Sequence, residues 1–286
     1  MTSRSLIAVT GATGFVGRRL VRTLVAAGHP VRAFARDATR LPPEIDAVPW
    51  TAPAPPAPTA LEGVAAIAYC AAFMPERYTD PRAARECVAV NAIAPLELAQ
   101  AAAAAGVERF VYVSSGQIDR PEYAPYYLGT KALGDLWVRV TASLSTAVLR
   151  PGSIYGPGMG RGVLRTFVER LTSGQPVRVA NGGAHQADFV WVGDVVDAIV
   201  AVLSSRDTGA FNIGSGEATS TAQLAHLIAR LVDVADDKVE IEPASARTSS
   251  SFAPLDVTRA RDTFGFRPTS LEDGLRLFLA EIGVRS

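Results

Sequence analysis

Residues 6–17 read Leu-Ile-Ala-Val-Thr-Gly-Ala-Thr-Gly-Phe-Val-Gly, a short β-branched run followed by glycines at 11, 14 and 17. The run reads as a strand, and the glycine segment opens the first helix. In that setting Gly11 permits a tight turn, Gly14 lets backbone approach a pyrophosphate, and Gly17 lets helix pack on strand. The helix N-terminus, with its unpaired N–H groups, then faces the phosphates, and Thr13, Phe15 and Val16 lie in the same turn. The spacing is GxxGxxG, and a glycine-rich turn that binds nothing has the same composition. A strand before it and a helix after it favour the dinucleotide-binding reading.

Working outward, strand-like runs at Leu6–Val9, Val31–Phe34, Val64–Cys70, Phe110–Val113 and Ala147–Leu149 alternate with helical patterns. That alternation predicts an α/β fold, a Rossmann doubly wound parallel sheet with a small C-terminal α/β substrate lobe. The first helix should run from near Gly14 to Gly28, and a long Ala-rich helix from about Pro81 to Ala105, with Gly106 as its C-cap. Seven prolines between Leu41 and Pro58 exclude a regular helix there and leave at most a short edge strand near Ile45–Val48 in a stiff surface loop. The dinucleotide-binding domain is expected over 1–155, with segments near 186–215 returning to it, and the substrate lobe mainly over 156–286. Helices are expected near 163–173, 194–204, 220–232 and 271–282.

Lys plus Arg and Asp plus Glu number 28 each, and nearly half of the 286 residues are apolar. No basic stripe suits nucleic acid or an anionic membrane, so a small-molecule substrate is the expected partner, with no nucleic acid and no membrane. Residues 1–5 lead straight into the first strand without a signal-peptide pattern, and the apolar stretch Val64–Met74 is too short to span a bilayer. A cytoplasmic location is expected. Cys70 and Cys87 form no CxxC pair, and His29, His185 and His226 form no cluster, so no disulfide framework and no metal site are expected.

The second strand ends Ala33-Phe34-Ala35-Arg36, where a residue reading the adenosine ribose belongs. An arginine there pairs with the 2′-phosphate of NADP, whereas Asp37, if turned inward, would accept the 2′-hydroxyl of NAD. Tyr127 and Lys131 stand four apart on one helical face, and an adjacent ammonium stabilises phenolate and lowers the tyrosine pKa. A surface Tyr/Lys pair has the same spacing. What favours chemistry is Ser114-Ser115 at the carboxyl end of the strand Phe110–Val113, the edge of a parallel sheet where ligands bind; the bland alternative is that both serines cap a strand end.

These motifs, together with Val90-Asn91, Leu149-Arg-Pro-Gly-Ser-Ile-Tyr-Gly-Pro157, Asp188-Phe-Val-Trp-Val-Gly-Asp194, Phe211-Asn-Ile-Gly-Ser-Gly216 and Phe264-Gly-Phe-Arg-Pro268, resemble the extended short-chain dehydrogenase/reductases, the NAD-dependent epimerase/dehydratase family. The resemblance implies that Tyr127 is the acid/base, that Lys131 binds the nicotinamide ribose, that Ser115 positions the reacting oxygen and that Asn91 supports the site. It implies that Cys70, Ala71, Ala72 and Pro151 line the cofactor with backbone, and that the enzyme is a homodimer built on the helix near 81–105 and the helix of Tyr127. Asp194 is read as an N-cap.

Departures from the family narrow the substrate. Ser153 stands where nucleotide-sugar members carry asparagine, Ala187 where they carry arginine, and Gly116-Gln117 where 4,6-dehydratases carry an acidic pair. The interval from Ser115 to Tyr127 is also short for a sugar epimerase. Arg161, Arg178 and Arg247 are candidate substrate-binding arginines. The expected function is NAD(P)-dependent hydride transfer between nicotinamide and a carbonyl or secondary alcohol, with NADP favoured as cofactor and NAD possible. Two alternatives stand beside it: a nucleotide-sugar epimerase with tightly bound NAD, and a non-catalytic NADP-binding sensor.

Overall fold

The computed structural model describes residues 5–141, 144–244 and 251–284. Strand β1 (Leu6–Thr10) passes through the glycine loop into α1 (Phe15–Ala26), which leads to β2 (Val31–Ala35). Helix α1 turns Leu20, Val21 and Leu24 into the core, and Gly28 at φ 79° ends it in a left-handed turn. Strand β3 (Asp46–Pro49) occupies the sheet edge, where a proline that cannot donate is tolerated, and β4 (Val64–Tyr69) follows.

The stretch expected as one helix over 81–105 is helical without a break over Pro81–Ala104, but its hydrogen-bond pattern changes along the way. A 3-10 turn at Pro81–Ala83 precedes α2 (Ala84–Val88), a π-helical turn at Ala89–Ile93 and α3 (Ala94–Ala104). Pro95 supplies the physical reason. It has no N–H, so the carbonyls of Asn91, four residues back, and Val90, five back, receive no bond from it. Two core tyrosines provide donors instead, Tyr112 OH to the Asn91 carbonyl at 2.8 Å and Tyr69 OH to the Val90 carbonyl at 2.7 Å. By length and composition Pro81–Ala104 is apolar enough to cross a membrane. In the fold its Leu98, Ala99 and Ala102 are buried against the sheet.

Strand β5 (Arg109–Val113), α4 (Pro125–Val140) and β6 (Ser145–Pro151) continue the alternation. Next come β7 (Ser153–Tyr155), α5 (Val163–Thr172), β8 (Val177–Val179), β9 (Gln186–Ala187), β10 (Phe189–Trp191), α6 (Val192–Leu203) and β11 (Gly209–Ile213). The chain finishes with β12 (Thr219–Ser220), α7 (Thr221–Leu231), β13 (Val239–Ile241), α8 (Thr258–Phe264) and α9 (Leu271–Glu281). Helix α8 has no counterpart in the sequence expectations; its seven residues carry too few apolar positions for a periodic signal.

Seven parallel strands form one sheet in the order β11-β6-β5-β4-β1-β2-β3. The order reverses between β1 and β4, which opens a crevice at their carboxyl ends. One face is covered by α1 and α6 through Leu20, Leu24, Val195 and Ile199, the other by α3 and α4 through Leu98, Ala102 and Val138. Burying each such side chain contributes about 1.5–3 kcal/mol. A separate core, containing Phe167, Leu171, Leu224, Ile228 and Phe278, joins α5, α7 and α9 beyond the carboxyl edge of the sheet.

Two buried carboxylates tie these parts together. Asp188 accepts hydrogen bonds from Ser215 N (2.6 Å), Ser215 Oγ (2.8 Å), Gly216 N (3.1 Å) and Leu255 N (2.9 Å), pinning three loops at the sheet edge. Asp194 does not cap its helix: it lies inside the first turn of α6, after Trp191 as N-cap, and accepts from Thr269 N (2.8 Å) and Oγ1 (2.7 Å). The segment before α9 is thereby fastened to α6.

Candidate active site

The glycine loop fills the crevice between β1 and β4. Gly11 has φ 62°, and a Cβ there would lie 2.8 Å from the Ala71 backbone; a Cβ on Gly17 would lie 2.2 Å from the Gly11 carbonyl oxygen. Backbone therefore meets backbone where a side chain has no room. Gly14 caps α1 without a side-chain hydrogen bond, and the first turn carries no acidic residue, so its N–H groups and helix dipole are free to meet an anion. Thr10 Oγ1 accepts from Ala71 N at 3.2 Å and locks the end of β1 to the end of β4.

A cleft of about 1270 Å³ extends from this loop across the carboxyl edge of the sheet. That exceeds the ~300–1,000 Å³ of an ordinary small-molecule site and suits a dinucleotide with a second ligand beside it. Gly11, Thr13, Gly14, Phe15 and Val16 line it on one side, and Cys70, Ala71, Ala72 and Pro151 on another. Ser115, Tyr127 and Lys131 line its middle, so all three candidate catalytic groups share one space with the phosphate cradle. Gly17 lies behind the lining, packed on Gly11.

Lys131 is 2% exposed, its Nζ donating to the Val113 carbonyl at 2.7 Å and lying 4.8 Å from the centre of the Tyr112 ring. Burial disfavours the ammonium and lowers its pKa to about 7. The Tyr127 phenol is pushed up, chiefly by burial and further by the neighbouring Tyr78 and Cys87. The expected lowering of that phenol is therefore not what the structure shows: desolvation dominates, and the lysine directs its proton at the β5 carbonyl. Burial also pushes the Cys70 thiol up to about 12, which makes it an inert wall. Among the described residues Ser115 Oγ accepts only a long bond from Gln117 N at 3.4 Å, which leaves its hydroxyl proton to a ligand. Ser114 is structural, its N–H donating to the Leu149 carbonyl at 2.8 Å.

Asn91 does not reach the cleft. It is fully buried, exchanges two 2.9 Å hydrogen bonds with the backbone of Phe73, and donates to Thr130 Oγ1 at 3.3 Å. It positions the strand exit at 70–73 and the residue next to Lys131, and touches no reacting atom.

The sequence profile of the NAD dependent epimerase/dehydratase family matches residues 7–214. The chain belongs to this family. It is an enzyme of the nicotinamide-dependent short-chain dehydrogenase/reductase type, whose fold is the doubly wound sheet described above. A 3-diazoavenalumate denitrifying reductase from a Streptomyces species is 30% identical over 94% of this chain and 98% of its own length. A UDP-glucose 4-epimerase from Mycolicibacterium smegmatis is 32% identical over 65% of this chain and 66% of its own. Among solved structures, MoeE5 in complex with UDP-glucose and NAD superposes with a TM-score of 0.79 at 26% identity, covering 96% of this chain and 97% of its own.

Arg36 also lines the cleft of this family member. Among the described residues the Arg36 side chain makes no hydrogen bond or ion pair, whereas Asp37 accepts from Thr39 N (3.1 Å) and Thr39 Oγ1 (2.5 Å) and caps the following turn. That bond holds the Asp37 carboxyl below its usual value. Of the other arginines, Arg161 lines the cleft, while Arg178 is an exposed residue of β8 paired with Glu240 at 3.1 Å and has no place in it. Arg247 lies outside the described residues.

Some of the wall escaped the sequence reading. Trp50, Thr51 and Ala52, in the proline-rich segment read as a surface loop, line the cleft beside Arg36. Trp50 is anchored by its Nε1 bond to the Ala54 carbonyl at 2.7 Å and by edge contacts with Phe34 and Tyr69. A tryptophan amid prolines is the one signal that could have found it. Tyr78, Met159 and Phe189 also line the cleft, and Tyr78 sits in an aperiodic loop that offers no signal of its own.

Proposed function

We propose that this enzyme is an NADP-linked reductase of a carbonyl compound, acting also on the corresponding secondary alcohol. The observation that carries the cofactor choice is the division of labour at the end of β2: Asp37 is committed to Thr39, and Arg36 lines the cleft without a partner among the described residues. The glycine cradle and open helix N-terminus fit the pyrophosphate of such a dinucleotide. A bound dihydronicotinamide supplies the hydride. Ser115 donates its hydroxyl proton to the substrate oxygen and holds it beside Tyr127, whose phenol, kept protonated by burial, is poised to deliver the proton. Lys131 fixes the floor of the site through its bond to Val113.

Ser153, Ala187 and Gly116-Gln117 support a substrate other than the nucleotide sugar of the family's epimerases and dehydratases, and the full-length match to a reductase supports net reduction. The second reading is an epimerase with tightly held NAD, supported by the match to a UDP-glucose 4-epimerase and the likeness to a protein solved with UDP-glucose and NAD. We further infer a homodimer, because Leu133, Leu136 and Val140 form an exposed apolar stripe on α4, and Val88 of α2 is exposed as well.

NADPH consumption with a panel of ketones tests the reading. Turnover by the wild type, falling by ~10²–10⁴ in Tyr127→Phe with dinucleotide affinity intact, is the expected result. Equal turnover by both proteins would sink the assignment of Tyr127.

A further inference from the structure

The substrate end of the cleft holds a charge the reaction does not use. Arg161 donates through Nη2 to the Pro75 carbonyl, and its guanidinium carbon lies 5.9 Å from the centre of the Tyr78 ring. The Tyr78 ring in turn lies 6.1 Å from the ring of Tyr127, tilted by 44°. Catalytic phenol, aromatic wall and guanidinium thus follow one another at single-ring spacing along the cleft. Arg161 has no carboxylate partner among the described residues, and one carbonyl occupies one of its five N–H donors. Arg85, on the same lining, also has no partner among the described residues, whereas Arg82 is neutralised by Asp80 at 2.9 Å. Among the described residues, the one acidic side chain lining this end is Glu86.

We propose that the substrate is an aryl carbonyl compound bearing a compact oxyanion, its carbonyl at Ser115 and Tyr127, its ring against Tyr78 and its anion on Arg161. A planar guanidinium fork with free donors is built for a carboxylate or a phosphate monoester, and an exposed aromatic beside the reacting phenol suits a flat ring. This inference rests on the carbonyl-reductase reading and refines its substrate.

The test is calorimetric titration of the protein loaded with oxidised NADP, in which a ketone binds without being reduced. The probes are 4-acetylbenzoate, its methyl ester, 4-acetylphenyl phosphate and UDP-glucose. The acid is expected to bind at least ~10-fold more tightly than the ester. Arg161→Gln should erase that difference and Arg161→Lys retain part of it, with NADP affinity unchanged in both. Tighter binding of the phosphate than of the benzoate would assign the anion as phosphate. Equal affinity for acid and ester, a preference indifferent to Arg161→Gln, or tight UDP-glucose binding with no binding of the aryl acids would overturn the proposal. Binding of the acid in the expected pattern without NADPH-dependent turnover would remove the reductase reading alone. Turnover of ketones with no preference for the charged probes would remove this inference alone.

Discussion

The Asn91 side chain and the Phe73 backbone exchange two hydrogen bonds of 2.9 Å, so one amide closes both polar groups of a residue at the exit of β4. The carbonyl of Asn91 meanwhile takes Tyr112 OH at 2.8 Å, and a Cβ on Gly134 would lie 2.2 Å from that same oxygen. Helix α4, which carries Tyr127 and Lys131, is therefore seated directly on the π-helical turn. Asn91→Ala leaves the half-buried Phe73 N–H and carbonyl without protein partners, at a cost of about 1 kcal/mol for each lost bond. A lower urea midpoint together with reduced kcat is expected. An unchanged midpoint would show that Asn91 does not hold the exit of β4.

Arg36 is expected to read the 2′-phosphate by charge-assisted bonds worth about 1.5–3 kcal/mol. Arg36→Ala should weaken NADPH binding by ~10–150-fold and leave NADH within about twofold. Fluorescence titration with both dinucleotides checks this, and equal losses for the two would remove the cofactor assignment.

Lys131 makes stability depend on pH in a stated direction. Its folded-state pKa of about 7 lies below the ordinary lysine value of 10.5. Between those values the unfolded chain binds more protons, so the penalty of burying this amine is full below pH 7 and is relieved as pH rises toward 10.5. Measured between pH 7 and 9, the stability of Lys131→Met relative to the wild type should fall by up to ~1.4 kcal/mol per pH unit. Parallel profiles would show that the buried amine titrates normally.

The apolar stripe on α4 sets the oligomeric expectation. Leu136 and Val140, 47% and 67% exposed, are large apolar surfaces to leave in water. Light scattering should give a dimer for the wild type and a monomer for Leu136→Glu. A wild-type monomer at micromolar concentration would contradict the dimer.

The parts of this molecule that can be read from the chain alone are those governed by local rules. The Gly11 to Gly17 spacing, the strand at 109–113 and the helix bearing Tyr127 and Lys131 are dictated by backbone sterics and periodicity, and all meet in one cleft. The π-helical turn at 89–93 was hidden because it depends on Tyr69 and Tyr112 reaching carbonyls that Pro95 leaves free. Trp50 and Tyr78 reach the cleft through loops whose course is set by tertiary packing. The direction of the Tyr127 pKa is not legible in the chain, because helical spacing reveals charge proximity but not depth of burial.

The central claim is a reductase that takes up NADPH from solution. The most direct measurement is identification of whatever dinucleotide is released when freshly purified protein is denatured, followed by titration of dinucleotide-free native protein with NADPH and NADH. Little retained dinucleotide and a clear preference for NADPH are expected. Stoichiometric release of NAD, with no preference for NADPH on titration, would contradict that claim and establish the epimerase reading in its place.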